Sequence, residues 1–300
     1  MIVALPTEEL RDAVGPVDGV EYVVWDGPGP PPRADEIEVC VPDYRTTMRT
    51  MKRLGELPAL RVVQTQLAGY DGQVELLPDG VLLANASGVH DDATAEHAVG
   101  LALAVLRAIP EAVRSHGHWT NLWDQRSLAD SRVMVLGYGS IGRAVAERLL
   151  PMRAEITAVA SRAREDPLVG HVHGVDELPD LLGDQHVVIV LLPLNDRTRG
   201  FVDDGVLAAL PDGAVVVNVA RGGVLDGDAV LRHAGRLQFA LDVTDPEPLP
   251  DGHPLWSAPG VLITPHVAGG TTAMLPRVAA LLRDQLERLV DGRPLRNVVS

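Results

Sequence analysis

The stretch Val135-Leu-Gly-Tyr-Gly-Ser-Ile-Gly142 is the strongest indication of the fold in this sequence. It holds the spacing G-x-G-x-x-G over residues Gly137, Tyr138, Gly139, Ser140, Ile141 and Gly142. An apolar β-branched run, Arg132–Leu136, precedes it, and a helical segment, Arg143–Leu150, follows. A strand, a glycine turn and a helix in this order are typical of dinucleotide-binding units, whereas the bare pattern is also found in turns that bind nothing.

Each glycine of this loop has a physical reason. Gly137 allows the tight turn, Gly139 lets the backbone approach a pyrophosphate, and Gly142 lets the helix pack on the strand. The first N–H groups of the helix then face the phosphates with the positive end of the helix dipole. The stretch therefore predicts a cofactor site at residues 137–142.

Outward from this loop, short apolar runs alternate with helical segments along the whole chain. Predicted strands near the loop are Arg132–Leu136, Ile156–Ala160, Val187–Leu192, Ala214–Val219, Phe239–Val243 and Val261–Thr264. An earlier βα rhythm predicts strands Ile2–Leu5, Glu21–Val24, Ile37–Val41, Arg61–Gln64 and Val81–Ala84. Continuous apolar strands joined by helices predict an α/β protein with two doubly wound parallel sheets.

The charge balance of the 300 residues excludes several classes of partner. There are 26 Lys and Arg against 41 Asp and Glu, a net charge of −15, and Lys52 is the one lysine. A chain this acidic has no general attraction for nucleic acid or an anionic membrane. The single cysteine, Cys40, excludes an internal disulfide, and no segment reads as a leader or a membrane span, so we expect a cytoplasmic protein.

The end of the second strand bears on the choice of cofactor. An NAD site usually has Asp or Glu about 20 residues beyond the fingerprint, to accept from the ribose 2′-hydroxyl. Here Ser161 and Arg162 stand there, followed by Arg164, and these residues suit a 2′-phosphate. We therefore predict NADP, with NAD as the alternative if the arginines are solvated loop residues.

Three later strands are followed directly by polar side chains. Arg221 comes after Val217-Asn-Val-Ala, Glu247 follows Leu241-Asp-Val, and His266 follows Ile263-Thr-Pro. Ligands of open α/β sheets bind at such strand ends. A histidine oriented by a carboxylate can donate a proton, and an arginine can grip a carboxylate, so the set predicts reduction of a 2-oxo acid.

In these motifs the chain resembles the D-isomer-specific 2-hydroxyacid dehydrogenases, which include glyoxylate and hydroxypyruvate reductases. Further matching segments are Thr94–Ala102 and Leu191–Gly200. The resemblance implies that Arg221, Glu247 and His266 form the catalytic set. It also implies cofactor contacts from Pro193, Thr198, Ala220 and Asp242, the last at the nicotinamide carboxamide. The backbone of Leu67, Ala68 and Gly69 would bind the substrate carboxylate, together with Arg221 and His266.

The resemblance also implies a domain plan and an assembly. A Rossmann cofactor domain, residues 95–266, would be inserted into a flavodoxin-like substrate domain made of 1–94 and 267–300. Members of the family are usually dimers, so a homodimer is expected. The predicted reaction is NADPH-dependent reduction of glyoxylate, hydroxypyruvate or a similar small 2-oxo acid.

The sequence is compatible with two other functions. One is an NAD-dependent 2-hydroxy acid dehydrogenase, for example one acting on 3-phosphoglycerate. The other is a dinucleotide-sensing protein of the corepressor type, which the retained Arg221, Glu247 and His266 disfavour.

Two His-x-His pairs raise the question of a metal. His116 with His118 and His171 with His173 could each present two ligands on one side of an extended strand. No third ligand is evident in the sequence, so no metal site is predicted.

Overall fold

The computed structural model describes all 300 residues, which divide into two compact units, Met1–His90 with Thr272–Ser300, and Asp91–Thr271. Each unit is built on its own sheet, one of five strands and one of eight. The expected α/β class with two parallel-dominated sheets is confirmed. No helix is long and apolar enough to cross a membrane.

The first unit has the strand order β2-β1-β3-β4-β5, with all neighbours parallel. This is the flavodoxin-like order. Its strands are β1 Ile2–Leu5, β2 Glu21–Val24, β3 Ile37–Cys40, β4 Val62–Gln64 and β5 Leu82–Ala84. Its helices are α1 Glu8–Val14, α2 Thr47–Met51 and α9 Met274–Val290, which returns the end of the chain to this unit. Two apolar clusters cover the two faces of the sheet.

The second unit has the strand order β13-β12-β11-β10-β6-β7-β9-β8. Its strands are β6 Arg132–Leu136, β7 Glu155–Ala160, β8 Arg164–Asp166, β9 Gly170–Gly174, β10 Val187–Val190, β11 Val215–Asn218, β12 Gln238–Leu241 and β13 Val261–Ile263. Its helices are α3 Asp91–Leu106, α4 Ile109–Arg114, α5 Ser140–Leu149, α6 Leu178–Leu181, α7 Asp204–Ala209 and α8 Gly227–His233. The long helix α3 packs against α5 and β11.

Two strands of the second sheet are missing from the sequence-based prediction. β9 reads Gly170-His-Val-His-Gly174, and only Val172 and Gly174 of it are buried. β8 pairs with it antiparallel at the edge of the sheet. The sequence-based prediction of six strands in this sheet is therefore wrong, since the structure has eight. β8 and β9 are missed because an edge hairpin with one covered face has no continuous apolar run.

The glycine loop takes the predicted conformation between β6 and α5. Gly137 has a φ of +109°, and a Cβ on it would lie 2.7 Å from the carbonyl carbon of Leu191. The backbone at the end of the neighbouring strand β10 thus fills the space of a side chain. Only glycine meets both the conformational and the steric demand.

We predict that Gly137→Ala lowers the free energy of unfolding by more than about 1 kcal/mol, because alanine combines a strained φ with a backbone clash. Urea unfolding followed by circular dichroism measures the effect. Gly183→Ala is the matched control, since Gly183 has open space around it and no positive φ. Equal stabilities of the two variants would contradict the steric explanation.

Candidate active site

The polar residues of the site follow three neighbouring parallel strands, β11, β12 and β13. Asn218, Leu241 and Ile263 are in register across these strands. Because the strands are parallel, their carboxyl ends lie along one edge of the sheet. The loops that leave this edge carry Arg221, Asp242 with Glu247, and His266, so the register brings distant parts of the chain together.

His266 and Glu247 form a direct pair. The distance from His266 Nδ1 to Glu247 Oε1 is 2.5 Å, and both side chains are a little over 40% exposed, at 44% and 41%. The hydrogen bond that the imidazole donates to Glu247 raises the pKa of His266, although burial and the positive charge of Arg221 oppose the rise. The pair therefore favours a protonated imidazole whose Nε2 is not engaged by Glu247.

The loop that carries Arg221 is fixed by its backbone neighbours. Buried Asn218 accepts from the Ala220 N–H at 3.0 Å and donates to the Arg221 carbonyl at 3.0 Å. A Cβ on Gly222 would lie 1.9 Å from the carbonyl oxygen of Thr244. The glycine thus lets the arginine loop lie directly on the loop that leads to Glu247. The positive charge of Arg221 lowers the pKa of His266, against the larger effect of Glu247.

Asp242 lies under the His266 loop and is 1% exposed. Its Oδ1 accepts from Thr264 Oγ1 at 2.6 Å and from the Val267 N–H at 3.0 Å. Its Oδ2 accepts from the Ala268 N–H at 3.0 Å. Burial alone would raise the pKa of Asp242, but these bonds and one from His97 outweigh it and lower the pKa to about 2.

His97 is the part of this network that comes from another layer. It lies on α3, and its Nε2 is 3.0 Å from Thr264 Oγ1 and 3.2 Å from Asp242 Oδ1. The hydroxyl of Thr264 donates to Asp242, so its oxygen accepts from His97. The sequence alone gives no sign of this contact, because His97 and Thr264 are 167 residues apart along the chain.

His266 itself has a φ of +51°, in the left-handed region that residues other than glycine seldom adopt. Its N–H donates to the Asp242 carbonyl at 2.7 Å and to the Thr264 carbonyl at 3.1 Å. Asp242 therefore holds the loop through both its backbone and its side chain. Backbone strain of this kind persists where the surroundings enforce it, and it is concentrated at functional sites.

A separate cleft of about 610 Å³ opens at the glycine loop. Of the residues expected to bind cofactor, nine line it: Gly137, Tyr138, Gly139, Ser140, Ile141, Gly142, Ser161, Pro193 and Thr198. Arg162, Ala220 and Asp242 are not among its lining residues. Arg164 and Arg197 do line the cleft. The arginine that the sequence favours for cofactor binding is instead Arg162.

Arg164 is held in place at the wall of this cleft. Its guanidinium lies 5.7 Å from the centre of the Tyr138 ring, and its Nη2 donates to the Tyr138 carbonyl at 2.7 Å. The Tyr138 hydroxyl in turn donates to Asp166 at 3.0 Å. The remaining donors of Arg164 can still meet an anion, because a guanidinium carries five N–H groups.

The predicted substrate-binding backbone, Leu67 to Gly69, lies in the first unit after β4. The Leu67 N–H donates to Thr65 Oγ1 at 3.2 Å. The Ala68 carbonyl accepts from Asn85, and the Gly69 carbonyl accepts from Gln73. The segment is thus held by buried side chains of its own unit.

A family model and individual relatives indicate the same protein family. Residues 99–268 match the D-isomer specific 2-hydroxyacid dehydrogenase, NAD binding domain. The chain is 31% identical to glyoxylate reductase of Aeropyrum pernix over 92% of its length and 89% of the relative. It is 29% identical to human glyoxylate reductase/hydroxypyruvate reductase over 96% of its length and 93% of the relative.

A solved structure agrees with the sequence comparison. The NADPH-dependent glyoxylate/hydroxypyruvate reductase of Sinorhizobium meliloti, in complex with NADP and sulfate, superposes with a TM-score of 0.84 at 27% identity. The match covers 100% of this chain and 98% of that one. The chain belongs to the D-isomer-specific 2-hydroxyacid dehydrogenases and is an oxidoreductase with a nicotinamide-dinucleotide-binding Rossmann domain.

Proposed function

We propose that the enzyme reduces a small 2-oxo acid, of the glyoxylate or hydroxypyruvate type, to the D-2-hydroxy acid with NADPH. The observation that carries the proposal is the 2.5 Å pair of His266 and Glu247 within reach of the Arg221 charge. A proton donor beside a fixed cation is what a carbonyl flanked by a carboxylate requires. The names of the relatives support the size of the substrate.

His266 is the proposed proton donor. A bound reduced nicotinamide would supply a hydride to the carbonyl carbon. His266 would give its proton to the carbonyl oxygen. Glu247 stabilises the imidazolium before the transfer through the bond at Nδ1. In the reverse direction neutral His266 accepts the proton of the hydroxyl group.

Arg221 is the proposed partner of the substrate carboxylate and of the carbonyl oxygen. A guanidinium forms two parallel hydrogen bonds to a carboxylate and fixes its orientation. The backbone of Leu67, Ala68 and Gly69 is the proposed second contact of that carboxylate, on the strength of the family resemblance. Leu67 contributes least to it, because its N–H donates to Thr65.

For Asp242 we propose a positioning role beside the nicotinamide contact that the family resemblance implies. A carboxylate offers about four acceptor positions, two on each oxygen. Thr264, Val267 and His97 approach Oδ1, whereas Oδ2 accepts only from the Ala268 N–H. Asp242 therefore holds the His266 loop mainly through Oδ1.

The proposed cofactor is NADP. No acidic side chain lines the cleft, whereas Ser161, Arg164 and Arg197 do. We assign the 2′-phosphate to Ser161 and Arg164, with Arg162 as a weaker contributor, because Arg164 is already anchored at the wall. NAD is the alternative cofactor.

A homodimer is the proposed assembly. The segment from α4 to residue 123 exposes large apolar side chains, with Trp119 at 101% and Trp123 at 80%. Val113 and Ile109 in α4 are exposed as well, at 65% and 49%. Exposing large apolar side chains to water costs free energy, and clusters of them are typical of a protein interface.

The proposed reaction is tested by absorbance of the reduced nicotinamide with glyoxylate, hydroxypyruvate, pyruvate and bulkier 2-oxo acids. We expect turnover with the small acids and better kcat/KM with NADPH than with NADH.

The role of Arg221 is tested by two variants in the same assay. Arg221→Ala should lose about 10²–10³-fold in kcat/KM, and Arg221→Lys should lose less. Both variants should still bind NADPH.

Turnover with no acid of the panel would overturn the enzyme proposal and favour a dinucleotide sensor. Better kcat/KM with NADH would overturn the assignment of Ser161 and Arg164 alone. Oxidation of 3-phosphoglycerate as the best reaction would replace the proposed substrate class.

The pH dependence tests the His266–Glu247 pair. Reduction needs protonated His266, and Glu247 raises the pKa of that group. Activity is therefore present at low pH and lost as the pH rises through the raised pKa. In Glu247→Gln the falling limb of the kcat profile should move to lower pH, and an unmoved limb would contradict the pairing.

The role of His97 is tested by two variants of similar size. His97→Leu removes the donor to Thr264 and Asp242 and should lower kcat by roughly tenfold. His97→Gln keeps a donor near the same place and should restore most of the rate. The KM for NADPH should change little, since His97 does not line the cleft. Equal losses in both variants, or losses only in stability, would contradict a positioning role.

The dimer is tested by size-exclusion chromatography with light scattering. The wild-type mass should be twice the chain mass of 32.0 kDa. Joint replacement of Trp119 and Trp123 by serine should shift the mass toward one chain. Met48→Ser, which removes an apolar side chain outside this segment, is the control. A monomeric wild-type protein would contradict the proposal.

A further inference from the structure

The edge hairpin β8–β9 gathers histidines and glutamates on one face. β8 and β9 run antiparallel, and Glu165 lies directly opposite His171. His171 and His173 are two residues apart on β9, so both side chains leave the same face of the sheet. Glu177 follows in the next helical turn, four residues after His173.

The side chains of this cluster, Glu165, His171, His173 and Glu177, are in direct contact. His173 Nδ1 is 2.8 Å from Glu177 Oε2, and His171 Nδ1 is 3.0 Å from Glu165 Oε1. The two imidazole rings meet edge to face, with their centres 4.7 Å apart. One donor atom from each of His171, His173 and Glu177 lies within 4.8 Å of the other two.

Two of these ligands are already oriented by further hydrogen bonds. The Gly174 N–H donates to Glu177 Oε1 at 2.7 Å, which leaves Oε2 directed at His173. Glu165 accepts from the Nδ1 of His171, which leaves Nε2 of that ring for a ligand bond. Carboxylates and backbone groups behind the ligands are the usual support of metal sites in proteins.

We propose that His171, His173 and Glu177 bind a divalent transition metal of the zinc type, with Glu165 orienting His171. Two imidazoles and one carboxylate suit Zn²⁺, whereas Ca²⁺ and Mg²⁺ prefer oxygen ligands throughout. Solvent completes the shell, because His171 is 47% exposed and Glu177 is 40% exposed. Glu177 is the third ligand that is not evident from the sequence.

The cluster lies next to the cofactor cleft, so a bound metal would affect that cleft. Arg164, directly before Glu165, lines the cofactor cleft, and so does Val175, between His173 and Glu177. A bound ion would tie β8, β9 and the following turn together. It would thus stabilise one wall of the cleft next to the glycine loop.

The test is binding of Zn²⁺ and Co²⁺ to the untagged full-length protein. Calorimetry should give one Zn²⁺ per chain, and Co²⁺ should show visible d–d absorption with nitrogen and oxygen ligands. His173→Gln and Glu177→Gln should each weaken Zn²⁺ binding by at least tenfold, and Glu165→Gln by about tenfold. Zn²⁺ should raise the Tm of the wild type and not that of His173→Gln.

The control is His116→Gln with His118→Gln, which removes the chain's other His-x-His pair and should leave the affinity unchanged. The four cluster side chains are partly exposed, so circular dichroism should show folded variants. Absence of Zn²⁺ binding at about 100 μM, or equal affinity in wild type and His173→Gln, would overturn the proposal. Loss of binding in the control pair would place the ion elsewhere and overturn it as well.

Discussion

The buried carboxylate of Asp242 is the interaction on which the candidate site depends. A charge that is 1% exposed is tolerated only when it is hydrogen-bonded, and here four donors lie within reach of its two oxygens. Three of the donors belong to residues 264–268, the loop that carries His266. Because a buried, unpaired carboxylate would destabilise the fold, these hydrogen bonds persist. They hold the loop of His266, the proposed proton donor, at a φ of +51°.

The parallel sheet places the other groups around this centre. The carboxyl ends of β11, β12 and β13 lie side by side, so the loops of Arg221, Glu247 and His266 leave one edge of the sheet although these residues are up to 45 positions apart along the chain. The glycine loop lies in the same sheet after β6, the strand that begins the nucleotide-binding order. A cation, the proposed proton donor and a cofactor cleft therefore come from one unit, at the ends of its strands. Such local positive groups would allow the proposed binding of anions despite a net charge of −15.

Much of this architecture can be predicted from the sequence, and the reasons are local. The G-x-G-x-x-G loop, the apolar strands and the polar residues just after them are each contiguous in the chain. The contact of His97 with Thr264 is not, because it depends on how α3 lies on the sheet. Strand β9 is missed since half of its side chains face solvent, and with it the register that brings Glu165 beside His171. The same hairpin explains why Arg164, rather than Arg162, lines the cleft: the chain turns back there into β8.

The proposed mechanism depends on a proton held on His266 by Glu247, and an NMR titration of the imidazole measures this directly. The His266 signals would be assigned by their loss in His266→Asn, and the titration would be repeated in Glu247→Gln. We expect the pKa of His266 in the wild type to lie above the ordinary histidine value and to fall when Glu247 loses its charge. A wild-type pKa at or below the ordinary value, unchanged in Glu247→Gln, would contradict it.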